Sequence, residues 1–147
     1  MPELQQPTEA LDLEQLFSFV VALRSGDFAA RLPTDGSGRA GEIAVGLNRF
    51  MQDMEMLTSE ITRISKELSE GVFGGQAELF LHPGPWRNCV EALNVMEYHL
   101  TGQIRDMVKS ATQMAEGKST RKVTVPCQGE TQALKEALNS TLDRLRA

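Results

Sequence analysis

Aromatic side chains make up only 5% of this 147-residue chain, with one Trp and one Tyr. The length would admit a single compact core, but such a composition points elsewhere. The two cysteines, Cys89 and Cys127, form neither a metal pair nor a disulfide framework, and a reducing cytoplasm is the simplest compartment. No run of 18 apolar residues exists, so no membrane insertion is expected. The N-terminal stretch lacks the basic region and apolar core of a signal peptide. Basic charge is not in excess: the net charge is −5, which argues against a nucleic-acid binder that must neutralise phosphates. Histidine occurs twice, as His82 and His99, and neither sits in a nucleophile motif. Leu100 follows His99 where a phosphoaccepting motif would carry an acid. Glu67, Glu70 and Glu78 show no metal-ligand spacing with His or Cys. The expectation is therefore no catalysis, no cofactor and no metal.

What the chain does have is seven methionines and an abundance of helix-forming residues. It also repeats. The segments beginning at Gly26, Gly71 and Gly117 each carry a second glycine, Gly38, Gly84 and Gly129, and each ends in Leu-Asn at Asn48, Asn94 and Asn139. The first glycine precedes the Asn by 22, 23 and 22 residues, a period of 45 to 46. Three anchor columns in register three times mark an internal repeat. The repeats are assigned to residues 11–58, 59–103 and 104–147.

Between the anchors the pattern is helical. Ile43, Leu47, Phe50, Met54, Leu57, Ile61, Ile64 and Leu68 follow a 4-3-4-3-4-3-4 spacing, a coiled-coil seam. A continuous helix is expected from about Gly41 to Glu70, capped by Gly71. A second runs from about Trp86 to Glu116, with Val90, Leu93, Met96 or Glu97, Leu100, Ile104 and Met107 on its seam. A strict heptad would place Glu97 inside, whereas Met96 implies a stutter that locally unwinds the supercoil. Shorter helices are expected over about Leu11–Ser25, with Leu13, Leu16, Val20 and Leu23, and about Thr131–Arg146, with Leu134, Leu138, Thr141 or Leu142, and Leu145. Trp86, next to Pro85, reads as a core plug at a helix start. Lys118, Arg121 and Lys122 read as a solvated basic connector.

The connectors are 12 to 16 residues long, enough to run back along a helix, so the helices they join can lie parallel. Two parallel helices with one apolar stripe each cannot close a core; pairing two chains gives four helices and a closed bundle. Connector residues would fill the grooves: Phe28 and Leu32, Phe73 with Ala77 or Leu79, and Val123 with Val125. Asn48, Asn94 and Asn139 flank the seam, where their amides could hold irregular connector backbone by hydrogen bonds. The expected fold is all-α: three stacked parallel four-helix bundles formed by a homodimer, with helices continuous between repeats.

These residues resemble the HAMP linker of bacterial receptors and histidine kinases. Gly26-Asp27-Phe28, Leu32-Pro33 and Leu47-Asn48 match its pattern closely, and Gly117, Val123, Gly129-Glu130 and Leu138-Asn139 match in the third repeat. The stretch GDFAARLPTD looks like the concatenated HAMP arrays of cytosolic hybrid kinases. Repeat two departs most: Pro85 stands where the family has the acidic residue that Glu130 supplies, and its connector is one residue longer. Ser119 is a poor groove filler in repeat three. The resemblance implies a dimeric relay that passes a packing change along Met54, Leu57, Ile61, Ile64, Leu100, Ile104 and Met107 to a downstream output domain, with histidine kinase the leading choice. A static dimerisation stalk and a ligand-binding sensor region are the alternatives.

Overall fold

A computed structural model describes residues 12–78, 84–118 and 121–146. Leu11, Leu79, His82 and Ser119, named above, lie outside them. The described residues are all-helical: α1 (Leu13–Ser25), α2 (Gly38–Ser69), α3 (Pro85–Ala115) and α4 (Gly129–Arg146). Among the described residues the segments between them form neither helix nor strand.

Each helix boundary has a local cause. Asp12 caps α1, its carboxylate accepting from the Glu14 amide at 3.1 Å. α1, α2 and α3 stop in the same way. Gly26, Gly71 and Gly117 take left-handed φ values of 77°, 78° and 72°. The amide that follows each glycine then reaches back to a carbonyl five residues earlier: Asp27 to Ala22 at 3.0 Å, Val72 to Glu67 at 2.8 Å and Lys118 to Gln113 at 2.9 Å. This is the Schellman motif, and it satisfies carbonyls that the helix end would leave open. Helices α2, α3 and α4 begin earlier than periodicity suggests, at Gly38, Pro85 and Gly129 rather than near residues 41, 86 and 131. Gly38 and Gly129 have φ of 64° and 56°, which turns an extended connector into a helix. Pro85 suits a first helical turn, where its missing N–H has no carbonyl to bond. α2 is one helix of 32 residues, about 48 Å long.

The chain forms two compact units, one ending at Arg63 and one beginning at Ile64. In the first, Phe19, Leu32, Ala44 and Met51 are buried together, with Leu16, Leu23, Phe28, Ala30 and Leu47 packed against them. A Cβ on Gly41 would run into the Gly36 carbonyl, so the start of α2 can lie this close to the connector only with glycine there. In the second unit Ile64, Ala77, Val90, Met107, Val123 and Leu142 are buried, together with Glu97, Thr101, Asp106 and Ser110.

The buried face of each helix is not the heptad seam alone. Met54, Leu57, Ile64 and Met107 are buried as the seam requires, and Leu47, Leu68, Leu93, Leu100 and Ile104 are half-buried. Leu13, Val20, Ile43, Phe50, Ile61, Leu134 and Leu145 stay exposed. The connectors cover a flank beside that stripe, where the spacing singled out neither Phe19 nor Met51. On α3 the open choice between Met96 and Glu97 is decided in an unexpected way: Met96 is 51% exposed and Glu97 2%. Glu97 faces a connector rather than a coiled-coil seam. The reading of Trp86 as a core plug is overturned, since its side chain is 52% exposed and only Pro85 separates it from the cap residue Gly84. No described helix is long and apolar enough to cross a membrane.

Candidate functional site

The recurring chemistry of the chain lies where each connector crosses the helix that follows it. In the first unit the Asn48 side chain accepts from the Leu32 amide at 2.7 Å and donates to the Leu32 carbonyl at 2.8 Å. Asn94 does the same to Ala77, at 2.7 and 2.9 Å. Asn139 does the same to Val123, at 2.8 and 3.1 Å. A carboxamide suits this double contact because it offers one acceptor and one donor on one plane, matching the N–H and C=O of a single residue. The clamped residues Leu32, Ala77 and Val123 are all buried, and each lies six positions after its capping glycine. Cap, buried anchor and Asn clamp thus recur as one device. The extra residue of the second connector falls between Ala77 and Gly84. Of the two fillers open there, Ala77 occupies the anchor position.

Around the clamps the connectors are secured differently. Phe28 packs half-buried in the first unit, where Arg31 donates to the carbonyls of Phe28 and Ala30 and pairs with Glu55 at 3.0 Å. Phe73 is also half-buried, and its carbonyl accepts from Arg105 Nη2 at 2.9 Å. The Gly74 amide and the Thr101 hydroxyl both donate to Glu97 Oε1, the latter at 2.6 Å. Around Val123 the partner is Asp106. Its Oδ1 takes Arg121 Nη2 at 2.9 Å, and its Oδ2 takes the Thr124 and Val125 amides at 2.9 and 3.4 Å. Burial pushes the Asp106 carboxyl up, but the Thr124 amide, the bond and charge of Arg121, and the Val125 amide outweigh it and hold it below the ordinary aspartate value. Ser110 Oγ donates to the Arg121 carbonyl at 2.8 Å.

A HAMP domain family model matches residues 91–147. HAMP domains are signal-transducing linkers of sensor proteins. No solved structure matches the chain. The HAMP match takes in most of α3, the Gly117 cap, the Val123–Asn139 clamp and all of α4. It begins at Glu91, inside the stretch that periodicity gives to repeat two.

Within the matched region Glu130 lies exposed in the first turn of α4, where its charge favours the helix N-terminus. The basic connector is paired rather than merely solvated: Lys118 with Glu116, Arg121 with Asp106, and Lys122 with Asp143. Spacing arguments missed Glu97 and Asp106 as anchoring groups. Their only sequence signal is an acidic residue on a stripe that is otherwise apolar or small. Among the described residues no group of three His, Cys, Asp or Glu could hold a metal ion. His99 is exposed, its ring edge-on to Tyr98 with centroids 5.6 Å apart.

Proposed function

We propose that this chain is a signal relay built of three tandem HAMP units, working as a parallel homodimer with no catalytic activity of its own. The observation that carries the reading is the threefold recurrence of capping glycine, buried anchor and Asn clamp, one copy of which lies inside the HAMP match. The units are residues 11–58, 59–103 and 104–147, stacked as four-helix bundles in the dimer. The exposed seam residues, Leu13, Val20, Ile43, Phe50, Ile61, Leu134 and Leu145, are the side chains a second copy would cover. Burying each is worth about 1.5–3 kcal/mol. A change of packing in the first unit then travels along α2 and α3, each shared by two successive units. The recipient is an output domain, which we take to be a histidine kinase, and the cytoplasm is the compartment.

Light scattering over a dilution series tests the physical basis. A dimer of twice the 16.2 kDa chain mass, dissociated by Ile61→Lys, is the expected result. A monomer at all concentrations would sink the relay. Coupling is tested by joining the chain to a histidine kinase and measuring autophosphorylation: Met54→Lys should uncouple input from output. A static dimerisation stalk predicts a dimer whose output is indifferent to seam substitutions that leave its mass unchanged.

A further inference from the structure

A cleft of about 500 Å³ opens on α3 in the second unit, between Gly74 and Gln76 of one connector and Val125 and Pro126 of the next. Glu97, Thr101, Gly102 and Arg105 line its helical side. Tyr98, Gly102 and Arg105 lie roughly half a turn round α3 from Leu93, Leu100, Ile104 and Met107, so a dimer closed on the seam leaves their side of the cleft open; Glu97, seven residues before Ile104, lies at its seam-side edge.

Two features of the cleft go beyond what holding the connector requires elsewhere in the chain. The first is Glu97. It lies three residues after the clamp Asn94, and the matching positions after Asn48 and Asn139 are Met51 and Leu142. All three are buried, at 2%, 0% and 1% exposure. Apolar side chains therefore serve this position elsewhere in the same chain, and a buried carboxylate carries a desolvation cost they avoid. Both hydrogen bonds to Glu97 fall on Oε1. Among the described residues Oε2 takes no hydrogen bond, and Glu97 lines the cleft. The second is Gly102, in the middle of α3. Glycine there weakens a helix relative to alanine, yet a Cβ would meet nothing within 4 Å. Its absent side chain leaves the cleft floor clear.

Arg105 supplies the opposite charge two helical turns from Glu97. Its Nη2 holds the Phe73 carbonyl, and among the described residues no ion pair links it to Glu97. A carboxylate and a guanidinium flanking one cleft without neutralising each other complement a small molecule that carries both charges.

We propose that this cleft binds a small zwitterion of the α-amino acid type, with its ammonium on Glu97 and its carboxylate on Arg105. Because Glu97 and Arg105 also grip Gly74 and Phe73, such a ligand would tighten the second connector. The proposal stands apart from the relay reading, since it concerns binding to the chain itself.

The test is isothermal titration of the full chain with each of the twenty amino acids in turn. At least one should bind, and its N-acetyl and methyl-ester forms, each lacking one charge, should bind about ten- to a hundredfold more weakly, the loss expected for one charge-assisted hydrogen bond. Glu97→Gln should weaken binding to the same degree. Gly102→Leu should abolish it by filling the floor, while its higher helix propensity keeps the helical circular dichroism of the parent. No binding by any amino acid at millimolar concentration overturns the proposal. Binding that survives Gly102→Leu overturns the site. Equal binding of an ester or N-acetyl form overturns the zwitterion.

Discussion

The two units hold their connectors with the same Asn clamp but surround it with opposite chemistry. In the first, the clamped Leu32 sits in an apolar cluster with Phe19, Ala44 and Met51, and the charged contact, Arg31 to Glu55, is at the surface. In the second, Ala77 and Val123 are bordered by carboxylates that bind connector amides, Glu97 at Gly74 and Asp106 at Thr124 and Val125. Apolar packing is non-directional and tolerates small shifts. A hydrogen-bonded carboxylate fixes one arrangement and penalises others. The difference teaches that a repeated backbone device can be given different stiffness by a few neighbouring side chains.

Substitutions can break this comparison. The largest effect is expected from Met51→Ala, which removes a fully buried side chain from the apolar cluster and should cost about 2–5 kcal/mol in denaturant unfolding. The clamps come next. Asn48→Ala, Asn94→Ala and Asn139→Ala each strand an amide and a carbonyl, at about 1–3 kcal/mol. Amide hydrogen exchange should quicken at Leu32, Ala77 or Val123 respectively, and an effect spread over the whole chain would mean that the clamp is not local.

Asp106→Asn should cost a similar or smaller amount, on the order of 1–2 kcal/mol, by leaving Arg121 without its carboxylate. It also carries a pH signature. The folded carboxyl is held below its ordinary value, so the unfolded chain takes up the proton first. The contribution is whole above about pH 4 and fades as pH falls through the folded value. Stability measured against pH should be flatter in this acid range for the variant than for the parent; parallel curves would refute the assignment.

The smallest net effect is expected from Glu97→Met, a loss of no more than about 1 kcal/mol, because well-packed apolar side chains often replace buried charges without penalty. It would convert the second unit to the chemistry of the first. Faster exchange at Gly74 with little change in melting temperature is the expected pair of results. A large loss of stability would show that Glu97 is a structural keystone and that the two units differ in more than stiffness.

Much of this organisation was legible in the residues. The glycine and Leu-Asn columns located the helix ends and the clamps, and the 4-3 spacing of α2 marked a helix without interruption. Helix starts were misplaced by up to three residues, because Gly38 and Gly129 read as loop residues until their positive φ shows them turning the connector into the helix. Trp86 illustrates a different failure: a large aromatic beside a proline reads as a plug, yet about half of its surface stays exposed.

The sequence by itself determined most of the secondary structure, the repeat period and the asparagines that clamp each connector, because helix periodicity, glycine caps and a planar carboxamide act over one or two turns of chain. Only the tertiary structure decided which flank of each helix is buried within one chain. Phe19, Met51, Glu97 and Asp106 owe their burial to connectors that return from elsewhere in the sequence, and no local spacing records where an extended segment will lie.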